Sequence, residues 1–376
     1  MTIRDKSTAL LLTGGGARAA YQVGVLKAMT TLFPRTRYLP FKIICGTSAG
    51  AINATALSCY ASCFHLGVKK LEWVWKNFRT HQVYHCSIPG AFGHLIRGFI
   101  SNMQSDMATT RPHSLFNNAP LRILLNQLVE LERIDVNIHK GYLDSIAVTA
   151  SCYDTRDSIT FFQSELRDEW ERSRRLGKHT RLTIEHLMAS AAIPMVFPSV
   201  KVGQDYFGDG SVHQVAPSSP AIHLGAERIL IIGVSPPPVE REKVKHRHPS
   251  MADISGHLLD TIFADTLDSD LERVERINDT LNILTEKQKE KTILRPIETL
   301  CINPKIDIDM VADEYYEYLP TAVRWLLSSI GVKKGAGSSL VSYLLFEKEY
   351  TRKLIEIGYQ EGIEHLDEIR EFLKDS

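Results

Sequence analysis

The chain has 376 residues, with 44 basic side chains against 44 acidic ones, so it carries no formal net charge at neutral pH. That length can bury a full α/β core, and the charge balance gives nucleic acid no electrostatic footing as a partner. Six cysteines (45, 59, 63, 86, 152 and 301) show neither a C-x-x-C pair nor the spacing of a disulfide framework, and no window approaches the ~18 apolar residues of a membrane span.

Residues 8–13 (Thr-Ala-Leu-Leu-Leu-Thr) are a continuous apolar run that reads as a buried parallel strand, too short for the core of a signal peptide. It runs into Gly14-Gly15-Gly16-Ala17-Arg18-Ala19. From Tyr21 to Leu32 the apolar residues Val23, Leu26, Met29 and Leu32 keep helical spacing. A second short strand, Phe41 to Cys45, ends in Gly46-Thr47-Ser48-Ala49-Gly50, and a helix of small residues follows. This is the nucleophile-elbow pattern: a serine at the apex of a tight strand-to-helix turn needs small flanking residues, here Gly46 and Gly50. Strand, glycine loop, helix and strand make one βαβ unit. The loop and Ser48 therefore share the carboxyl ends of parallel strands, where open α/β sheets keep their sites.

The glycine loop also fits G-x-G-x-x-A, a dinucleotide fingerprint. The next strand, however, ends in Cys45-Gly46, without the acid that would hold a ribose, and no Gly-Lys-Ser/Thr follows for a phosphate loop. Consecutive backbone N–H groups beside a serine nucleophile instead suit an oxyanion hole, and no cofactor is expected.

Further along, 60–78 reads as helix. The loop-rich stretch 83–120 reads as an insertion over the site, with Phe92, Phe99, Met103 and Met107 available for packing or lipid contact. Helices are expected over 121–131 and 182–192, strands over 145–152, 158–162 and 228–234, and a turn at 205–210. The prolines 236–238 and the charged run 240–248 suggest a boundary between a domain over 8–235 and a mainly helical part over 239–376. Within the latter, helices are expected over 251–286 and 347–374. His246 and His248 lack further ligands at suitable spacing, so no metal site is expected.

Three motifs in order, Gly14-Gly15-Gly16-Ala17-Arg18, Gly46-Thr47-Ser48-Ala49-Gly50 and Asp209-Gly210, resemble the patatin-like phospholipase family, as does the run from Ala189 to Pro198. The resemblance covers about residues 8–235 and implies a three-layer α/β/α sandwich with a mostly parallel central sheet. The carboxyl-terminal part looks like an extension of the kind found in bacterial members. The resemblance also implies a serine acyl hydrolase working on (lyso)phospholipids or related lipids. Ser48 would be the nucleophile and Asp209 the base. The amides of Gly14, Gly15, Gly16 and Ala17 would hold the oxyanion, with Arg18 steadying the loop or a phosphate. Two positions depart from the family pattern: Ser211 follows Asp209-Gly210, and Ala19 stands where many members have glycine. The expected setting is cytoplasmic and peripheral to membranes, with lipid at the membrane surface as the partner, contacted through the apolar segments 91–107 and 322–346. A protein activator and any oligomeric state stay open. An α/β-hydrolase is disfavoured because Ser48 follows a single strand and its helix. A non-catalytic lipid-binding or scaffold protein on the same fold remains the alternative.

Overall fold

Short, largely apolar and fully buried runs build the middle of the sheet. The computed structural model describes residues 7–85, 114–235, 254, 257, 261, 266–329, 331–332, 334–335 and 339–374. Its strands are β1 (Thr8–Leu12), β2 (Ile43–Thr47), β3 (Ser145–Cys152), β4 (Ser158–Ser164), β5 (Trp170–Arg172), β6 (Arg175–His179), β7 (Val200–Val202), β8 (Asp205–Asp209), β9 (Arg228–Ile232) and β10 (Glu298–Ile302). They form one sheet in the order β10-β9-β1-β2-β3-β4-β6-β5, with β8 paired to β3 and β7 to β8. From β10 to β3 every pairing is parallel.

The main helices are α1 (Ala20–Met29), α2 (Ala49–Cys59), α3 (Phe64–Lys76), α4 (Ala119–Leu128), α5 (Glu132–His139), α6 (Ile184–Ser190), α7 (Thr266–Ile283), α8 (Ile308–Glu314), α9 (Thr321–Ser329), α10 (Ser339–Leu344), α11 (Lys348–Glu364) and α12 (Leu366–Phe372). Side chains alternate across a strand, and β1 shows what each face meets. Leu10 and Leu12 join a large apolar cluster with Val23 of α1, Ala54 of α2, Val68 of α3 and Leu354 of α11. Ala9 and Leu11 join a smaller one with Leu267 and Val274 of α7. Helices thus cover both faces, giving the expected three-layer sandwich with a mostly parallel centre.

The structure revises the sequence reading in three places. Residues 205–209 are strand rather than turn, pairing antiparallel with Val200–Val202 and with the end of β3. The β5–β6 hairpin extends the sheet beyond β4, with β6 parallel to β4 and β5 antiparallel to β6; its residues are mostly half-buried or exposed, so no apolar run announces them. The carboxyl-terminal part is mainly helical, as expected, yet it also contributes β10, which pairs with β9 along its whole length. Only alternate residues of β10 are buried, so its signal is weak between Pro296 and Pro304.

α11 packs on α1 at backbone contact distance. A Cβ on Gly24 would lie 2.3 Å from Ile355 O, and one on Gly358 would lie 2.2 Å from Tyr21 O. Small residues at the crossing permit this, and Tyr21 Oη donates to Glu361 Oε2 at 2.7 Å. The expected insertion over 83–120 falls mostly outside the described residues, as do the boundary run 236–248 and the histidines 246 and 248.

Candidate active site

The end of β2 turns directly into α2, and Ser48 takes the strain. Its backbone sits at φ 54°, ψ −128°, a region that costs a side-chain-bearing residue energy and persists only where the surroundings enforce it. They do so by close approach. A Cβ on Gly50 would meet Leu12 O at 2.3 Å, and one on Gly46 would meet Ala51 Cα at 2.6 Å. The Ser48 N–H donates to Ser190 Oγ at 2.8 Å, and Ser190 Oγ donates to Thr149 O at 2.6 Å. The elbow is therefore tied to β3 and α6. Ser190 is visible in the sequence only as part of a small-residue run, with no sign that its hydroxyl bridges two backbones.

Asp209 ends β8 and is fully buried. Its backbone N–H donates to Ala192 O at 2.8 Å, and its Oδ1 accepts from the Ser211 N–H at 3.0 Å. Gly210 allows a close approach: a Cβ there would lie 2.1 Å from Thr149 O and 2.8 Å from the Thr47 methyl. Burial pushes the carboxyl up from 3.8 to about 6, while the hydroxyl of Ser48 and the Ser211 group pull the other way. Oδ2 is buried with no hydrogen-bond partner among the described residues. A carboxylate near a serine hydroxyl with one unpaired oxygen is arranged to accept a proton, and such contacts commonly tighten when substrate binds. The charge of Asp209, after burial, also raises the Tyr153 phenol.

The glycine loop lies beside the elbow because Leu12 of β1 pairs with Gly46 of β2. Gly16 holds φ 55°, and a Cβ there would sit 2.3 Å from Tyr343 O. Gly16 and Ser48 line the same cavity, about 200 Å³, which runs between α2, α3 and α4 past Ile52, Leu71, Trp75, Leu121 and Phe197. Gly14 instead lines a much smaller recess on the other side, with Thr47 and Gln214. The Arg18 N–H is already engaged by Gly15 O at 3.1 Å. Its side chain pairs with Asp309 at 2.6 Å and does not line the cavity. His213, the histidine nearest a motif, gives its N–H to Ser151 Oγ at 3.2 Å, and its ring does not line the Ser48 cavity.

Outside the cavity, Cys152, Asp154 and Asp205 bring three potential ligand atoms close together, but Asp154 already accepts from the Tyr206 N–H at 2.8 Å. Among the described residues no helix is long and apolar enough to cross a membrane. Segment 91–107 lies outside the described residues. Much of 322–346 is core: Leu340, Val341, Tyr343, Leu344 and Leu345 are buried, so their apolar character is explained by packing rather than lipid contact.

A model of the patatin-like phospholipase family matches residues 10–222, a stretch that holds the glycine loop, Ser48 and Asp209. The chain belongs to that family. No match is found among curated proteins. Among solved structures, VipD from Legionella pneumophila is similar over 97% of this chain and 67% of its own, with 12% identity and a TM-score of 0.37. Human GIVD cytosolic phospholipase A2, solved with a methyl γ-linolenyl fluorophosphonate inhibitor, is similar over 98% of this chain and 59% of its own, with 11% identity and a TM-score of 0.46. The type III effector ExoU is similar over 97% of this chain and 53% of its own, with 13% identity and a TM-score of 0.35. This patatin-like chain thus spans between about half and two thirds of the length of these proteins.

Proposed function

We propose that this patatin-like protein is a serine acyl hydrolase that cleaves fatty-acyl ester bonds of phospholipids, lysophospholipids or related lipids. The observation that carries the reading is the strained Ser48, next to a buried carboxylate and opening onto an apolar cavity. Asp209 accepts the Ser48 proton as Oγ attacks the ester carbonyl. The amides at Gly15, Gly16 and Ala17 stabilise the negative oxygen of the tetrahedral intermediate. Asp209 then passes the proton to the departing lipid alcohol, leaving an acyl-serine. Water, deprotonated by Asp209 in turn, releases the fatty acid and restores the serine. The apolar walls between α2, α3 and α4 suit an acyl chain, whose burial supplies binding without charge.

The test is purified protein against phospholipids, lysophospholipids, neutral glycerides and short p-nitrophenyl esters, with Ser48→Ala as control. Fatty-acid release is expected from at least one lipid class, falling about 10³-fold or more in the folded variant. Binding of lipid without release by either protein would favour the scaffold reading.

A further inference from the structure

The family match ends at residue 222, yet the glycine loop is braced by residues far beyond it. Arg18 and Asp309 are 1% and 4% exposed, and their side chains meet at 2.6 Å. Arg18 Nε donates to Ser342 Oγ at 2.7 Å, one Nη reaches Tyr343 Oη at 3.1 Å, and the guanidinium carbon lies 3.9 Å from the centre of the Tyr343 ring. Ser342 Oγ is 2.7 Å from Asp309 Oδ1, and Ser339 Oγ donates to Oδ2 at 2.8 Å. Charges removed from water hold only in such fully bonded settings, so the guanidinium has little freedom to shift. Gly16, meanwhile, rests on Tyr343 O. The turn Gly16–Ala19 therefore meets α10 twice, through the close approach of the Gly16 backbone to Tyr343 O and through the hydrogen bonds of the Arg18 side chain.

We infer that Asp309 and Ser342 are positioning residues for catalysis: by fixing Arg18 they hold the Gly15–Ala17 amides where the oxyanion forms. The inference rests on the acyl-hydrolase reading above and deepens it. Oxyanion donors help only if they are aimed in advance, and a loop that lends its amides to substrate needs its support from elsewhere in the fold. A packing anchor would serve the same stability without this consequence. The two roles separate kinetically, because misaimed donors weaken the transition state while leaving ground-state binding intact.

Asp309→Asn and Ser342→Ala are compared with wild type on a short p-nitrophenyl ester and on an alkyl trifluoromethyl ketone, which adds the serine hydroxyl to give a charged tetrahedral adduct. Folded variants are expected to keep KM within about twofold, to lose about tenfold or more in kcat, and to bind the ketone more weakly by a similar factor. Asp309→Asn strands the Arg18 charge, so Arg18→Met combined with Asp309→Leu removes both charges and should show the same loss of kcat at unchanged KM. Folded variants with kcat within about threefold of wild type, or losses that follow only the folded fraction, would overturn the inference while leaving the hydrolase reading standing. Wild-type protein inert towards both ester and ketone would bring down that reading, and this inference with it.

Discussion

At the scale of single residues, Asp209 is the most exacting position. Its carboxyl is raised to about 6 by burial, and a base works only when ionised, so kcat/KM should rise with pH through about 6 and level off above it. The raised value also bears on stability. The folded carboxyl holds its proton more tightly than the unfolded one, so its favourable contribution is complete below about pH 4 and is lost as pH rises through about 6. Keeping the buried group ionised costs about 3 kcal/mol, at about 1.4 kcal/mol for each pH unit between 3.8 and about 6. Asp209→Asn should therefore be inactive yet melt several degrees higher than wild type at pH 8, with little difference at pH 4. Thermal melts at the two pH values check this; equal melting at pH 8 would mean that the carboxylate is not under strain. Ser48→Ala with Asp209→Asn should be no worse than either single change, and His213→Ala should keep most activity. Both catalytic candidates are readable in the sequence because each stands in a glycine-flanked motif. Ser190 and Asp309 are not, since a hydroxyl in a small-residue run and an acid in a helical stretch look alike wherever they sit.

At the scale of elements, the strand-loop-helix unit is legible because the centres of β1 and β2 are short apolar runs and the turns after them are written in glycine. The stretch 205–210 is deceptive: Gly208 and Gly210 suggest a bend, but Gly208 lies under the Tyr153 ring and the chain stays extended until Asp209. Such glycines mark close approach, which sequence cannot tell from a turn. Gly16 serves both purposes, with φ 55° and Tyr343 O where a side chain would go. Gly16→Val should therefore lower kcat by about 10²-fold or more while the sheet persists, readable as ester turnover beside an unchanged far-ultraviolet circular dichroism spectrum. Turnover near wild type would remove the loop from the mechanism.

At the scale of the whole molecule, the patatin-like core and the carboxyl-terminal part share a sheet and a helix layer. β10 covers β9, α11 lies on α1 at backbone contact, and Asp309 neutralises Arg18. The sequence suggests a mere extension because long-range pairing leaves no local pattern: these partners of Arg18, Tyr21 and Gly24 lie more than 290 residues away. A chain ending at residue 235 should lack a cooperative thermal transition and be degraded by protease under conditions that spare the full chain. A sharp melt and ester turnover by that fragment would make the later residues dispensable. The central claim, that Ser48 is the nucleophile of an acyl hydrolase, is tested most directly by peptide mass spectrometry after reaction with an alkyl fluorophosphonate. One adduct is expected, on Ser48, absent from Ser48→Ala and suppressed in Asp209→Asn; folded wild-type protein left unlabelled at Ser48, or labelled at another serine with Ser48→Ala fully reactive, would contradict it.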